Sequence, residues 1–515
     1  MARALKPVTT LSGSALAIAA LGLSLASFMQ ILDQTIANVS LRTIAGNLGV
    51  SPNQGTWVVT SFGVATAISI PLTGWLAQRL GQVRLLLWSV SLFVLASVLC
   101  GMASSLEMLV MARILQGAVA GPMIPLSQSM LLAIFPPERR VLAFTVSSTV
   151  TIVAPICGPL FGGWISDNWG WPWIFFINVP VGVVALGMVL RCFHGRETPV
   201  ASAPIDFTGL VLLAIWVGSL QLMLDIGNDA GWFDDGWVIG LAITAGVGFC
   251  YFLIWELTHP HPVVELRLFA RRNFTVGAVA LGAGFSIFLG TAILMPLWLQ
   301  TQMGYSAAWA GLAAAPISVF PILLSRTLGV GLQRIDPRWF ATVALCAFAS
   351  ASFLRAQFTT ETDFAAVVWA QLITGLGIAM FMVPLQSVIL GGMSGNQVAS
   401  AAGLSSFIRV IGGSFGTSIA TSVWVRREAV HHAQLAEAVS TAEPATTDTL
   451  TTLSERGLSA GQSNFVLERM LDAQSSLMGL VDYFWLVGWV LLALVLLVWL
   501  ARPPFNAGQR PAPAE

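Results

Sequence analysis

The feature that most constrains this chain is a train of about fourteen apolar stretches, each long enough to cross a lipid bilayer as a helix. They run roughly over 12–36, 54–76, 83–103, 107–133, 142–165, 173–192, 206–225, 237–257, 274–299, 308–329, 338–355, 364–391, 401–425 and 480–501. A spanning helix takes about 20 residues, so fourteen consume about 280, which a chain of 515 accommodates with loops to spare. Lipid offers no partner to backbone polar groups, so such stretches satisfy themselves as helices. The expected fold class is therefore all-α integral membrane.

Composition agrees: 56% of residues are hydrophobic and 9% are charged, against about 25% charged in soluble domains. The 24 basic and 24 acidic residues cancel, which gives no ground for a nucleic-acid partner. Cys100, Cys157, Cys192, Cys250 and Cys346 stand singly, so neither a disulfide framework nor a metal site is expected. The stretch from about Leu11 to Leu32, behind Arg3 and Lys6, is long for the apolar part of a cleaved signal and is expected to remain as the first helix.

An even number of spans puts both ends of the chain on one side. With those ends inside, 16 of 24 basic residues face the cytoplasm, namely Arg3, Lys6, Arg79, Arg84, Arg139, Arg140, Arg191, Arg196, Arg267, Arg271, Arg272, Arg326, Arg334, Arg338, Arg502 and Arg510. Short cytoplasmic loops collect such residues, while Asp225, Asp229, Asp234 and Asp235 fall opposite. Both termini are thus expected in the cytoplasm.

The chain also repeats itself. Leu48-Gly49-Val50-Ser51 is echoed by Met303-Gly304-Tyr305-Ser306, and Gly74 with Gln78-Arg79 by Gly329 with Gln333-Arg334, both at an offset of 255. Gly117 with Gln128-Ser129 matches Gly375 with Gln386-Ser387 at 258, and Gly158, Phe161 and Gly162 match Gly412, Phe415 and Gly416 at 254. A constant offset marks two parallel copies of one unit. The expected organisation is a six-helix bundle over 1–195, two inserted helices over 196–265, and a second six-helix bundle over 266–515. The polar segment 426–478 is read as an outer loop whose Leu435, Val439, Leu467 and Leu471 suggest short amphipathic helices, serving either to dock a partner or as a solvated cap.

Ionisable residues inside spans are costly, about 2.5–3.5 kcal/mol at the bilayer centre, and so point to function. In the first span Gln30, Asp33, Gln34, Ala37 and Asn38 share a face at spacings of three and four, which is expected to line an internal cavity. A carboxylate there can change protonation when access alternates; a fixed polar packing contact is the alternative. In the fourth span Arg113 shares a side with Gln116, Gly117, Ala120 and Gly121 and needs an acceptor, for which Asp33 is plausible, or else its side chain snorkels outward. Arg409 lies among Ser405, Ser406, Gly412, Gly413 and Gly416, again with snorkelling as the competitor. Gln128 and Gln386 complete the candidate cavity set. Gln371 stands where the second copy should carry Arg113, so proton coupling is expected in the first half.

Three further segments are less charged. Ala154-Pro155-Ile-Cys-Gly158-Pro159-Leu-Phe-Gly162-Gly163 describes a bent, closely packed helix. The cytoplasmic turn from Gly74 to Arg84, with Arg79 and Gly81, suits both positive-inside anchoring and a gate latch. Asp206, Asp225, Glu256 and Asp482 sit near span ends as ordinary interface residues, and Trp169, Trp171 and Trp173 look like an interfacial belt.

Together these segments resemble the major facilitator superfamily, and within it the fourteen-helix drug:proton antiporters of the EmrB and QacA type, nearest to EmrB. The carriers are Leu32-Asp33-Gln-Thr35-Ile-Ala-Asn38-Val39, the Gly74 to Arg84 turn, Arg113-Ile-Leu-Gln116-Gly117, the antiporter-type run through Pro155, Gly158, Pro159, Gly162 and Gly163, and Trp173-Ile-Phe-Phe-Ile-Asn178-Val-Pro180. The resemblance implies proton coupling through Asp33 and Arg113, exchange favoured over leak by the glycine-proline run, hydrophobic and varied cargo, and no cofactor beyond the proton gradient. It also implies a bacterial inner-membrane location and, where the host has two membranes, a periplasmic adaptor of the EmrA kind with an outer-membrane channel of the TolC kind. The chain departs from many superfamily members in having Gln78, and Gln333 in the second copy, where an acid is usual. A dedicated exporter of one class, such as fatty acids or a secreted metabolite, would share every motif. A membrane-embedded enzyme or receptor is the reading from a different class, and no catalytic triad, metal spacing or phosphate-binding loop supports it.

Overall fold

The computed structural model describes residues 8–50, 52–55, 57–136, 150, 153–154, 157–158, 161–166, 168–200, 206–227, 230–260, 262–332, 334–393, 396–439, 443–503 and 505. Arg3, Lys6, Arg139, Arg140, Pro155, Pro159, Asp229, Gln333, Arg510 and the side chains of Asn38, Asp225 and Arg326 fall outside what is described.

The described residues are helical throughout, with short turns between. The main helices are α1 (Gly13–Val39), α2 (Trp57–Ser69), α3 (Leu72–Leu80), α4 (Gln82–Gly101), α5 (Leu106–Ala120), α6 (Met123–Ile134), α7 (Asn178–Phe193), α8 (Phe207–Ile226) and α9 (Gly236–Thr258). They continue as α10 (Arg272–Thr301), α11 (Ala307–Ala314), α12 (Val319–Gly331), α13 (Pro337–Arg355), α14 (Phe364–Ala379), α15 (Met382–Ile389), α16 (Asn396–Ala438), α17 (Pro444–Glu455) and α18 (Ala460–Val498). Caps fix several starts: Ser105 accepts the Met108 N–H ahead of α5, Asp363 accepts that of Ala366 ahead of α14, and Asp336 precedes Pro337 at the first position of α13.

Ten helices among the described residues are long and apolar enough to cross a membrane, or eleven when α2 and α3 are joined across their 60° bend. Pro71 stands at that bend, where a missing N–H opens the backbone ladder. The protein is thus a multi-pass membrane protein. Of the other expected spans, 142–165 lies largely outside the described residues, 308–329 is divided by a 3-10 turn at Ala315–Ser318, and 401–425 runs inside α16.

Packing follows the repeat. In the first copy α2 lies on α5, α4 on α5, and α1 on α6 and α7; in the second α10 lies on α16, and α13 on α14 and α18. The offsets recur in space as well. A Cβ on Gly117 would strike the Phe62 carbonyl, and one on Gly375 would strike the Ile317 carbonyl, so glycines 258 apart face carbonyls 255 apart. Helices α8 and α9 pack on each other, and α8 also on α2 and α16.

Segment 426–478 corrects one expectation. Leu435 lies near the end of α16, which runs 43 residues, and Leu467 and Leu471 lie in α18, which runs 39, so both long helices extend into the polar segment, and α17 is a short separate helix between them. At 1.5 Å per residue each is about 60 Å long, roughly twice the hydrocarbon thickness. Hydropathy falls there while helix-forming Ala, Gln, Glu and Arg persist. A second correction concerns tryptophan, because Trp171 is buried while Trp169 and Trp173 are exposed.

Candidate functional site

Asp33 and Arg113 are brought together in the interior of the first copy. Arg113 Nη1 lies 2.5 Å from Asp33 Oδ2, and neither side chain is exposed. Snorkelling is thereby excluded for Arg113, because the side chain points between helices. Arg113 Nε donates to the Val58 carbonyl of α2 at 2.9 Å, and Nη1 also donates to Gln116 Oε1 at 2.8 Å. The guanidinium lies over the ring of Phe62 at 4.2 Å and near that of Phe175 at 5.6 Å, which suits a delocalised cation in an apolar setting.

The other Asp33 oxygen is also filled. Oδ1 accepts from Asn178 Nδ2 at 2.6 Å and from Gln116 Nε2 at 3.1 Å. Both amides also donate to Ser97 Oγ, at 2.8 and 3.2 Å, and Ser97 passes its own hydrogen to the Phe175 carbonyl at 3.0 Å. Cys100 Sγ donates to Gln116 Oε1 at 3.4 Å. Both Asp33 oxygens thus accept hydrogen bonds from Arg113, Gln116 and Asn178, and four helices, α1, α4, α5 and α7, each supply a member of the cluster. Arg113 Nη2 has no hydrogen-bond partner. Ser97, Cys100 and Asn178 were not assigned roles by sequence, although Asn178 lies in one of the family-like motifs.

The remaining candidates do not converge on this cluster. Gln30 is buried one turn before Asp33 with Oε1 unpartnered, whereas Gln34 is exposed. Gln386 donates to Ser405 Oγ at 3.3 Å, Gln128 is half-buried, and Arg409 is buried over the ring of Phe285. Burial again removes snorkelling for Arg409. Gly158 and Gly162 lie against Thr35 and Ile36 of α1, next to Asp33, so the glycine run holds a neighbouring backbone at close approach. Gly163 is half-buried beside them.

The second copy carries a counterpart that sequence reading missed. At offset 258, Ser97 corresponds to Arg355, Arg113 to Gln371 and Gln116 to Thr374. Arg355 Nη2 donates to Gln371 Oε1 at 2.7 Å, Thr374 Oγ1 at 2.8 Å and the Ala370 carbonyl at 3.3 Å, with the guanidinium over Phe484. The cation has moved from the fourth helix of the unit to the third, and among the described residues no carboxylate pairs with it. Among the described residues, the buried cation paired with an acid is that of the first copy.

In the turn from Gly74 to Arg84, Gly74, Arg79 and Arg84 are exposed, and Arg79 stacks on Trp75. The turn is tied down by Glu197, a residue that sequence reading does not single out. Its Oε1 accepts the Val83 N–H at 2.9 Å and its Oε2 the Arg84 N–H at 3.0 Å, so a carboxylate caps the start of α4. Arg84 Nε stands 4.0 Å from Oε2, and Gly81, at φ 87°, leaves room for the Glu197 side chain. Two span-end acids also need correction. Glu256 is wholly buried and Asp206 nearly so, while Asp482 is partly exposed and pairs with Arg427 and His431. Among the described residues no group of three or more His, Cys, Asp or Glu is placed to hold a metal.

Comparison with known proteins gives the same picture. Residues 23–417 match the family described as Major Facilitator Superfamily. The chain is 46% identical over 498 residues to the fatty acid resistance protein FarB of Neisseria gonorrhoeae, covering 97% of this chain and 98% of that protein. It is 46% identical over 499 residues, with the same coverage, to the multidrug export protein EmrB of Escherichia coli. In fold it is similar to a crystal structure of the peptide transporter POT in complex with sulfate, at TM-score 0.61 and 13% identity, covering 96% of this chain and 98% of that one. A double-tryptophan mutant of XylE gives TM-score 0.58 at 14% identity, covering 95% and 96%. With its helical architecture, internal repeat and near full-length relatives, this chain belongs to the major facilitator superfamily and is a membrane transporter, not an enzyme.

Proposed function

We propose that this protein is a proton-driven exporter of structurally varied hydrophobic compounds, taken from the cytoplasm or inner leaflet by alternating access. The observation that carries this reading is Asp33, a buried carboxylate whose two oxygens are filled by one cation and two amides. A proton arriving on Asp33 removes the anion that balances Arg113. A buried guanidinium without its counterion is unfavourable by several kcal/mol, so the contacts among α1, α4, α5 and α7 must rearrange. That makes the proton a ligand with different affinities for two conformations, which is the condition for coupling. In the second copy Arg355 lies among neutral acceptors, and among the described residues no carboxylate pairs with it.

In this reading two six-helix bundles, over 1–195 and 266–515, rock around a central cavity, with the 196–265 helices inserted between them. The Gly74 to Arg84 turn and Glu197 latch the cytoplasmic side, and the glycine run at Gly158 and Gly162 keeps α1 close enough to limit leak. Both termini lie in the cytoplasm of an inner membrane, and no cofactor is used beyond the proton gradient. Where a second membrane exists, a periplasmic adaptor and an outer-membrane channel complete the export path, and the outer reach of α16 to α18 is the surface available to them.

The multidrug reading is supported by the similarity to multidrug export proteins of the EmrB name. A dedicated exporter of fatty acids is the second reading, favoured by equal identity to a fatty acid resistance protein. Proteoliposomes under an imposed pH gradient separate them. Gradient-dependent efflux of several unrelated hydrophobic compounds, competing with one another, is expected; competition by fatty acids alone would favour the second reading, and no movement of any compound would overturn both.

A further inference from the structure

The inserted helix pair contains two buried acids that the Asp33 cluster does not use. Asp206 caps α8: Oδ1 accepts the Gly209 N–H at 2.8 Å, and the Trp255 indole donates to Oδ1 and Oδ2 at 3.0 and 2.9 Å. Glu256, one residue after Trp255 on α9, is wholly buried. Its Oε2 accepts the Val264 N–H at 3.0 Å, which ties the end of α9 to the segment leading into α10. Its Oε1 is buried with no hydrogen-bond partner. The two carboxylates lean over the same glycine: a Cβ on Gly209 would collide with Asp206 Oδ2 and stand 2.8 Å from Glu256 Oε1.

The charged neighbours do not neutralise this pair. Just past the end of α9, His259 Nδ1 lies 3.7 Å from Asp206 Oδ2 on a partly exposed ring stacked on Trp255. From the 262–271 segment, Arg267 Nη2 reaches the Leu257 carbonyl at 3.5 Å, and Glu265 adds a further half-buried acid. Among the described residues no cation forms an ion pair with Glu256. Two carboxylates at such close quarters in a desolvated site do not both ionise, because each anion raises the cost of the other. A proton on Glu256 Oε1 supplies the missing donor hydrogen and faces it toward the Asp206 side, while Oε2 keeps Val264. Asp206 already accepts from an amide and an indole, which leaves Glu256, with its unpartnered Oε1, as the member placed to take the proton.

We propose that Glu256 and Asp206 form a second proton-binding site, in the inserted helices, where Glu256 carries the proton and thereby holds the 262–266 segment against α9. Loss of the proton sets two anions against one another, pushes Glu256 away from Gly209 and releases the Val264 amide. His259, the partly water-accessible titratable group of the cluster, is the route by which the proton exchanges with solvent. The site stands apart from Asp33 and does not depend on which compound is exported.

The test uses infrared spectra of the full-length protein in lipid across neutral pH, reading the carbonyl band of buried carboxylic acid. A band present in the wild type and in Asp33→Asn, absent in Glu256→Gln, is expected. The Gln amide retains an acceptor for Val264, so that variant should fold. Asp206→Asn, which keeps a capping oxygen, should lose the band at lower pH than the wild type because the neighbouring anion is gone. An identical band in wild type and Glu256→Gln, or an Asp206→Asn band that disappears at the wild-type pH, overturns the proposal. Should Glu256→Gln fail to fold, the Asp206→Asn titration decides alone.

Discussion

Arg113 Nη1 and Asp33 Oδ2 meet at 2.5 Å with both side chains fully enclosed, so each is the condition on which the other is tolerated in the interior. Removing one charge strands its partner, at a cost of about 3–5 kcal/mol. Asp33→Asn and Arg113→Gln should each lower thermal stability sharply in detergent. The double variant should recover most of that loss while remaining inactive in proton-dependent efflux. Additive destabilisation in the double-mutant cycle would contradict a mutually dependent pair.

The two copies should respond unequally to loss of their cation. Arg113→Gln leaves a buried anion behind, whereas Arg355→Gln leaves only the neutral Gln371 and Thr374. The first should therefore be the more destabilising, by about 2 kcal/mol or more. Equal melting temperatures for the two variants would show that the chemical asymmetry has no energetic weight.

Gly117 and Gly375 make equivalent demands on their neighbours. An alanine at either position meets a backbone carbonyl, that of Phe62 or Ile317, which cannot rotate away. Gly117→Ala and Gly375→Ala should each cost about 1–3 kcal/mol, as overpacking does, and thermal unfolding of the purified protein reads it. A neutral outcome at both would mean the helices can part without penalty.

Glu197 holds two otherwise free N–H groups at the start of α4. Glu197→Ala should cost about 1 kcal/mol, the usual worth of a cap. The effect should be local: hydrogen exchange at Val83 and Arg84 accelerates while that at Ser97 and Arg113 does not. Unchanged exchange at Val83 and Arg84 would exclude the latch.

Much of this was legible in sequence because it is written locally. Apolar length marks spans, a constant offset marks the repeat, and Asp33 and Arg113 are conspicuous as charges inside apolar runs, so their pairing could be anticipated. Asn178 and Ser97 could not be placed, since a neutral polar residue in a span gives no sign of which partner it meets 145 or 81 residues away. Arg355 was overlooked because it closes a helix beside the polar run Gln357 to Asp363 and resembles an interface residue. The offset of 258 already set it opposite Ser97. Glu256 resembles an interface acid for the same reason, while the segment after α9 folds back and donates the Val264 amide to its buried carboxylate. Hydropathy likewise reports where an apolar stretch ends, not where a helix ends, and so divides α16 and α18 at the start of the polar segment.

The central claim is that Asp33 is the carboxylate whose proton is exchanged for cargo. Proton release on cargo addition, followed with a pH indicator in weakly buffered solutions of the purified protein, tests it most directly. Wild type should release protons on binding a hydrophobic compound, and Asp33→Asn should bind that compound while releasing none. Equal release from both proteins would contradict the account.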